Sequence, residues 1–316
     1  MKKAVTTFLK DPEAVTFFAL VLVGGVAAAV LAVTSWFLAL GLAVGLTGLI
    51  LFAWKPVVGV YAIAILYPFI NFQFVFGDLN IPYVDLIALL AFAGWFGRSL
   101  WLWIFQGEQM SWKQFPGLGF FLAFVVASFL SISNAEDMAA SVKYVLRPLS
   151  FFYLMFVVFP LNTIRTPKVL LRVFYIFYGI GVLTALNGLW GFLTYPSVSI
   201  LQKRAIPAEI FGLFPYGTSH NLIAEVLVSV IPIGLLLVWL NHKEWNRKLL
   251  FLGTVFMFGV NLLTFSRTGW IAALLEVVIF GYVMYRHKIK NMAMGLLIVG
   301  AVFAPVMVYM LVFSSQ

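Results

Sequence analysis

An arginine stands between two apolar segments in the run LTFSRTGW at residues 263–270. A guanidinium keeps its charge at physiological pH and binds phosphate oxygens through a fork of N–H donors. An ionisable side chain at membrane depth is costly and marks a functional site by default. A long side chain near the interface can instead extend its charge into water. Arg267 therefore indicates either an interface anchor or a site for an anionic ligand such as a diphosphate.

The longest loop on the same predicted side, residues 195–221, contains a second pair of basic residues, Lys203 and Arg204. Its prolines and glycines predict a constrained, non-helical path. Arg204 is predicted to converge with Arg267 on the anionic ligand. Lys203 is a candidate for the same site, but we favour contact with lipid headgroups as its explanation.

Further polar residues lie where this loop meets the next apolar segment. His220 is a candidate general base, and the alternative is a structural residue at the mouth of a helix. Asn221 beside it is a candidate ligand contact. Ser219 or Thr218 is expected to cap the helix that begins here.

Three carboxylates lie within or near the apolar segments: Asp85, Glu225 and Glu276. Glu225 follows His220 by about one and a half helical turns, so the two side chains are offset rather than stacked. It is a candidate for orienting a ligand or pairing with Arg267. A buried neutral carboxyl or an ion pair inside the bundle is one alternative for Glu225 and Glu276. Proton or cation sites of an ion-coupled transporter are another.

These residues are embedded in a very apolar chain. It is 63% hydrophobic and 10% charged, with a mean hydropathy of +1.05. The apolar segments predict an all-α integral membrane fold, a polytopic helical bundle of about 11 transmembrane helices of roughly 20 residues each. We treat residues 1–316 as a single membrane domain. The predicted spans are residues 15–34, 36–54, 57–76, 84–105, 116–132, 148–164, 170–190, 219–240, 249–265, 268–285 and 291–313.

The distribution of basic residues predicts the orientation of the bundle. With the N-terminus in the cytoplasm, most of the 20 lysines and arginines fall on the inner side, as the positive-inside rule requires. The C-terminus is then outside. The net charge of +9 is thus explained by topology, which argues against a nucleic-acid partner and for contact with membrane lipids. The basic residues on the outer side are Lys143, Arg147, Lys203, Arg204 and Arg267.

Several kinds of chemistry lack their sequence signals in this chain. Cysteine is absent, so disulfides, thiolate nucleophiles and cysteine-based metal sites are excluded. The sequence has no P-loop, no HExxH motif, no histidine-rich or acidic metal cluster and no serine nucleophile elbow. We therefore predict neither a metal site nor a cofactor.

Residues 200–285 resemble the O-antigen ligase and polymerase superfamily. The run at 263–270 is similar to that family's "lTfSRga-w" signature. Arg204, the GLF run at 212–214 and the HNLIA run at 220–224, followed by a proline at 232, resemble its "R…G.f..pN.lA" stretch and the span after it. The many spans upstream fit the family's topology.

The resemblance implies transfer of a glycan from an undecaprenyl-diphosphate carrier at the outer face of the bacterial plasma (inner) membrane. Such proteins assemble cell-surface polysaccharide, including lipopolysaccharide, and their acceptor is a glycan, a lipid or a protein. It implies a metal-independent, inverting glycosyltransferase in which arginines hold the carrier diphosphate. The catalytic residues carried over are Arg267, Arg204 and His220; the substrate-binding residues are Ser266, Lys203, Asn221 and Glu225.

The family also has a catalytic histidine in a large outer loop that follows the span corresponding to residues 291–313. The present sequence reaches Gln316, where that loop should begin. This leaves two expectations, an N-terminal portion of a longer ligase or a shortened, non-catalytic membrane subunit. An ion- or proton-coupled transporter that uses Glu225 and Glu276 is the competing functional hypothesis.

Overall fold

The computed structural model describes residues 36–69, 73–76, 79–107, 115–138, 141–142, 152–195, 203–210 and 212–285. The predicted spans 15–34 and 291–313 lie outside these ranges, as do Lys143 and Arg147. The described residues divide into two compact units. The first takes in those up to 67 and from 74 to 173, and the second takes in 68–73 and those from 174 onwards.

Helices account for most of the first unit. The elements from the N-terminal side are α1 (Trp36–Trp54), α2 (Pro56–Leu66), β1 (Gln73–Phe76), β2 (Leu79–Pro82), α3 (Tyr83–Gln106), α4 (Leu118–Ile132), a π-helical segment (Tyr153–Val158) and α5 (Phe159–Thr163). The strands pair as a hairpin. Small residues on α3, Ala88 and Ala91, are fully buried, and Trp95 packs on Phe159 with ring centroids 5.8 Å apart. Arg98 donates to the last carbonyls of α1, which satisfies groups that a helix end leaves open.

The helix that the sequence predicts over residues 57–76 is shorter in the structure. Helix α2 ends at Leu66, and Pro68 lies in the turn that follows it. Proline lacks the N–H that would continue the ladder and clashes with the preceding turn. Beyond it the chain forms β1 rather than more helix. The uniform apolar composition concealed this break.

The described residues of the second unit form four helices. They are α6 (Pro167–Thr194), of which residues from 174 onwards belong here, α7 (His220–Leu240), α8 (Glu244–Leu263) and α9 (Arg267–Tyr285). Gly181 of α6 faces Val230 of α7, and Gly188 faces Ile223, so these two helices run antiparallel. The core between helices is apolar and almost fully buried, with Ile223, Leu227, Val230, Ile231, Met257 and Val260 at its centre.

Of the described helices, three are long and apolar enough to cross a membrane, namely α3, α6 and α7. Large apolar side chains on α4 and α6 are exposed, among them Phe120, Leu130 and Trp190. Exposed apolar faces of this extent fit contact with lipid tails. The described part of the chain therefore has the architecture of a helical membrane protein. The total of about 11 spans, the orientation of the termini and the single membrane domain remain predictions.

Candidate functional site

The turn between α8 and α9 is a corner closed by its own hydrogen bonds. Thr264 Oγ1 donates to the carbonyl oxygen of Asn261 at 2.6 Å and accepts from the backbone N–H of Ser266 at 3.2 Å. Phe265 between them has a φ of 54°, in the left-handed region that a bulky residue rarely occupies. The indole N–H of Trp270 donates to the carbonyls of residues 261 and 262. The corner thus fixes the direction in which α9 starts.

Ser266 is the N-terminal cap of α9. Its Oγ accepts from the N–H of Gly269 at 3.4 Å and lies 3.2 Å from Thr268 Oγ1. The residue is only 4% exposed. Its hydroxyl therefore serves the helix, and its contact with a ligand remains a prediction. Arg267, the first residue of α9, has an exposed side chain.

Close contact between α7 and α9 brings His220 to the same end of the unit as Arg267. A Cβ placed on Gly269 would lie 2.9 Å from the Cβ of Ala224 and 3.1 Å from Oδ1 of Asn261. Ala224 follows His220 by four residues, so the two share a face of α7. Arg267 precedes the same contact by two residues.

Arg204 reaches this end of the unit through the extended segment of residues 203–210. The backbone N–H of Ala205 donates to the carbonyl oxygen of Leu263 at 2.7 Å, which ties the segment to the last residue of α8. Ala205 is completely buried, whereas Arg204 is exposed. The charge of Arg204 lies within electrostatic range of the imidazole of His220.

These contacts assemble four of the predicted site residues. We call them the arginine cluster: Arg204, His220, Ser266 and Arg267. Two helices, α7 and α9, also begin here. The end of α8 also lies here, at the Ala205–Leu263 bond, and its partial negative charge offsets the partial positive charge of their N-termini. The positive charge of the cluster therefore comes from Arg204 and Arg267.

The remaining predicted site residues lie around the cluster. Lys203 is half-buried beside Arg204. Asn221 has an exposed side chain, and its backbone N–H donates to Ser219 Oγ at 3.3 Å. This bond confirms that Ser219 caps α7. Glu225 is exposed one turn further along α7, and its part in ligand binding remains a prediction.

One face of α6 holds the extended segment, and the sequence did not single it out. We call its residues Thr184, Asn187 and Gly191 the α6 stripe. Asn187 Nδ2 donates to the carbonyl oxygen of Ala208 at 3.2 Å, and its Oδ1 accepts from the N–H of Ala208 at 3.1 Å. A Cβ on Gly191 would collide with the carbonyl oxygen of Ile206. Polar and small residues at helical spacing in an apolar span were the available signal.

Thr184 attaches a second part of the same loop. Its side chain hydrogen-bonds the hydroxyl of Tyr216, and burial raises the pKa of that phenol above its usual value. The Tyr216 ring also packs on Phe69, with centroids 5.0 Å apart. The α6 stripe therefore contacts the loop on both sides of residues 209–215.

Two buried polar atoms of the unit are unsatisfied within the described residues, Glu276 Oε2 and Asn261 Oδ1. Glu276 lies nine residues after Arg267 on α9. Asp85 belongs to the first unit, in the first turn of α3. A buried carboxyl that lacks a partner is costly when charged, so Glu276 differs from the exposed Glu225.

No protein-family model, curated protein or solved structure matches this chain.

Proposed function

We propose that this chain transfers a glycan from an undecaprenyl-diphosphate carrier, as a membrane glycosyltransferase of the O-antigen ligase and polymerase type. The observation that carries the proposal is the placement of Arg204 and Arg267, 63 residues apart in sequence, at one end of the second unit. The backbone bond from Ala205 to Leu263 is the direct link between their segments.

A lipid diphosphate matches this cluster in charge and in shape. Its oxygens accept hydrogen bonds from two guanidinium forks, and charge-assisted bonds of this kind are about twice as strong as neutral ones. Exposed apolar side chains of α6, among them Trp190 and Leu193, offer an apolar surface to the carrier's isoprenoid chain.

In the proposed reaction an acceptor hydroxyl attacks the anomeric carbon of the sugar attached to the diphosphate. The new C–O bond forms as the bond to the phosphate oxygen breaks, with inversion at carbon and departure of undecaprenyl diphosphate. Arg204 and Arg267 stabilise the charge that develops on the leaving diphosphate, a large effect in a site that excludes water. The acceptor proton passes to a base, for which His220 is the candidate within the cluster.

The proposal includes the setting of the reaction. The cluster faces the outer side of a bacterial inner membrane, the chain spans that membrane many times, and the product is a cell-surface polysaccharide. The acceptor is a glycan, a lipid or a protein hydroxyl. The distribution of basic residues supports this orientation, and the motifs at 204–232 and 263–270 support the reaction class.

The first test is equilibrium binding of an undecaprenyl-diphosphate oligosaccharide to the purified protein in detergent. Arg204→Ala and Arg267→Ala are each expected to lower the affinity about tenfold or more, because each removes a charge-assisted bond. Matched controls are Lys243→Ala and Arg247→Ala, exposed basic residues where α7 meets α8, at the other end of the unit. They change the net charge by the same amount and should bind like the parent.

Equal losses in the controls would mean that general charge, rather than the cluster, attracts the ligand. Unchanged binding in both arginine variants would reject the assignment of the diphosphate site. Absence of binding in the parent protein would reject the proposed function.

A second candidate function, ion- or proton-coupled transport, is favoured by one observation, the buried and unpartnered Oε2 of Glu276. A glutamine has the same shape as a neutral carboxyl but cannot exchange a proton. If the protein is a transferase, Glu276→Gln is expected to leave glycan transfer and donor binding unchanged. If it is a proton-coupled carrier, uptake into proteoliposomes should fall to background in this variant. Glu244→Gln, at an exposed position at the start of α8, is the matched control.

A further inference from the structure

We propose that Asn187 is the positioning residue of the diphosphate site, and that it acts by holding the segment 203–210 that carries Arg204. This inference rests on the proposed function for its ligand, a lipid diphosphate, and on the geometry of α6 for its mechanism. Asn187 contacts the segment at Ala208, four residues beyond Arg204, so we assign it no contact with the ligand. Its role is to fix where the guanidinium is presented.

The side-chain amide of Asn187 pairs with Ala208 as a neighbouring strand would. One of its atoms donates to the Ala208 carbonyl and the other accepts from the Ala208 N–H, at 3.2 and 3.1 Å. Ala208 is buried, so both backbone groups need a partner that water does not supply. An asparagine side chain has one donor group and one acceptor group at the required separation.

The segment is thus attached at two places that belong to different helices. Ala205 is bonded to the end of α8 and Ala208 to α6. Pro207, buried between them, restricts the backbone further. Arg204 directly precedes the first attachment. Because Ala205 and Ala208 are both fixed, the backbone next to Arg204 has little freedom to turn.

Without the Asn187 side chain, only the first of these two attachments, the Ala205–Leu263 bond, remains. In Asn187→Leu the buried N–H and carbonyl of Ala208 have lost their partner, and the segment is expected to move until water reaches them. Arg204 then samples several positions instead of one. The predicted result is a weaker donor complex whose helices are still intact.

Because the chain contains no cysteine, spin labels can be placed at chosen positions without other changes. Labels at Lys203 and at the exposed Ile271 of α9 report the distance between the segment and α9 by pulsed electron paramagnetic resonance. The ligand is absent from this measurement. Donor affinity is measured separately, on unlabelled protein, with undecaprenyl diphosphate as the probe.

The variants are Asn187→Leu and Asn187→Asp, with Asn241→Leu as the matched control. Asn241 also makes two hydrogen bonds, to the Tyr175 hydroxyl and from the Lys243 N–H, at the opposite end of the unit. Asn187→Leu is expected to broaden the distance distribution and to weaken donor binding about tenfold or more. Asn187→Asp keeps the acceptor for the Ala208 N–H, loses the donor and places a carboxylate against the Ala208 carbonyl, so the distance distribution should broaden in this variant too. Asn241→Leu should change neither.

A narrow, unchanged distribution in Asn187→Leu would overturn the inference, as would broadening without loss of affinity. If Asn187→Leu fails to fold, Asn187→Asp decides by the same two criteria. If the parent protein does not bind undecaprenyl diphosphate, the proposed function fails and the distance measurement alone decides whether Asn187 holds the segment.

Discussion

Replacing Arg267 by alanine is expected to slow glycan transfer about 100-fold or more, the effect of removing one group that stabilises charge in a transition state. The expectation follows from the position of Arg267 at the start of α9, where the corner at Thr264 and Phe265 fixes the backbone that carries it. In the proposed reaction, the leaving diphosphate gains charge as its bond to the sugar breaks. A hydrogen-bond donor that acts most strongly in the transition state affects the rate of transfer more than it affects binding of the substrate in its ground state.

Transfer should be measured in native membranes with the glycan donor in excess, so that weaker binding of the donor does not lower the measured rate. Arg267→Lys is the informative companion variant, because lysine keeps the charge but lacks the planar fork. An intermediate rate is expected for it. If Arg267→Lys is as slow as Arg267→Ala, the effect depends on the planar fork of the guanidinium. A normal rate in Arg267→Ala would show that Arg267 takes no part in the reaction.

The second large effect is expected at Gly191, where a single added methyl group is predicted to destabilise the protein by about 1–3 kcal/mol, as overpacking does. The Ile206 carbonyl occupies the space that a Cβ would need. Either the segment 203–210 moves away from α6 or α6 itself shifts. The same movement displaces Arg204, so donor binding should weaken together with stability.

Thermal unfolding in detergent, followed by circular dichroism, measures this prediction. Gly179→Ala provides the control in the same helix, because a Cβ there has open space around it. In that variant the better helix propensity of alanine should leave stability unchanged or raise it by up to about 1 kcal/mol. If the two variants unfold at the same temperature, the close approach of Ile206 to α6 is not present in the protein.

Apolar composition predicted the helices of the second unit well, because the signals that mark a helix lie in residues that are adjacent in sequence. Helices α7, α8 and α9 are largely apolar stretches bounded by a cap or a tight turn, and Ser219 supplied a recognisable start for α7. Such signals depend on a few adjacent residues. In contrast, the predicted span 57–76 failed at Pro68, where the apolar pattern continued although the backbone could not.

The arginine cluster was predictable only as a list of residues, because its assembly depends on contacts between distant parts of the chain. Nothing near Arg204 in sequence indicates that Ala205 bonds to Leu263. Asn187 read as one polar residue in an apolar span, and its partner Ala208 has no distinctive side chain at all. A hydrogen bond to a backbone group leaves no signal in the residue type of the partner, so it could not be predicted from the sequence.

The corner between α8 and α9 also bears on how the protein is made. Its exposed ends are closed from within, since Thr264 and the Trp270 indole bond the last carbonyls of α8 and Ser266 caps α9. A helical pair whose terminal backbone groups are paired within the pair itself needs no other segment to satisfy them. We therefore expect the α8–α9 pair to form without the loop that carries Arg204, although that loop is bonded to it through Ala205.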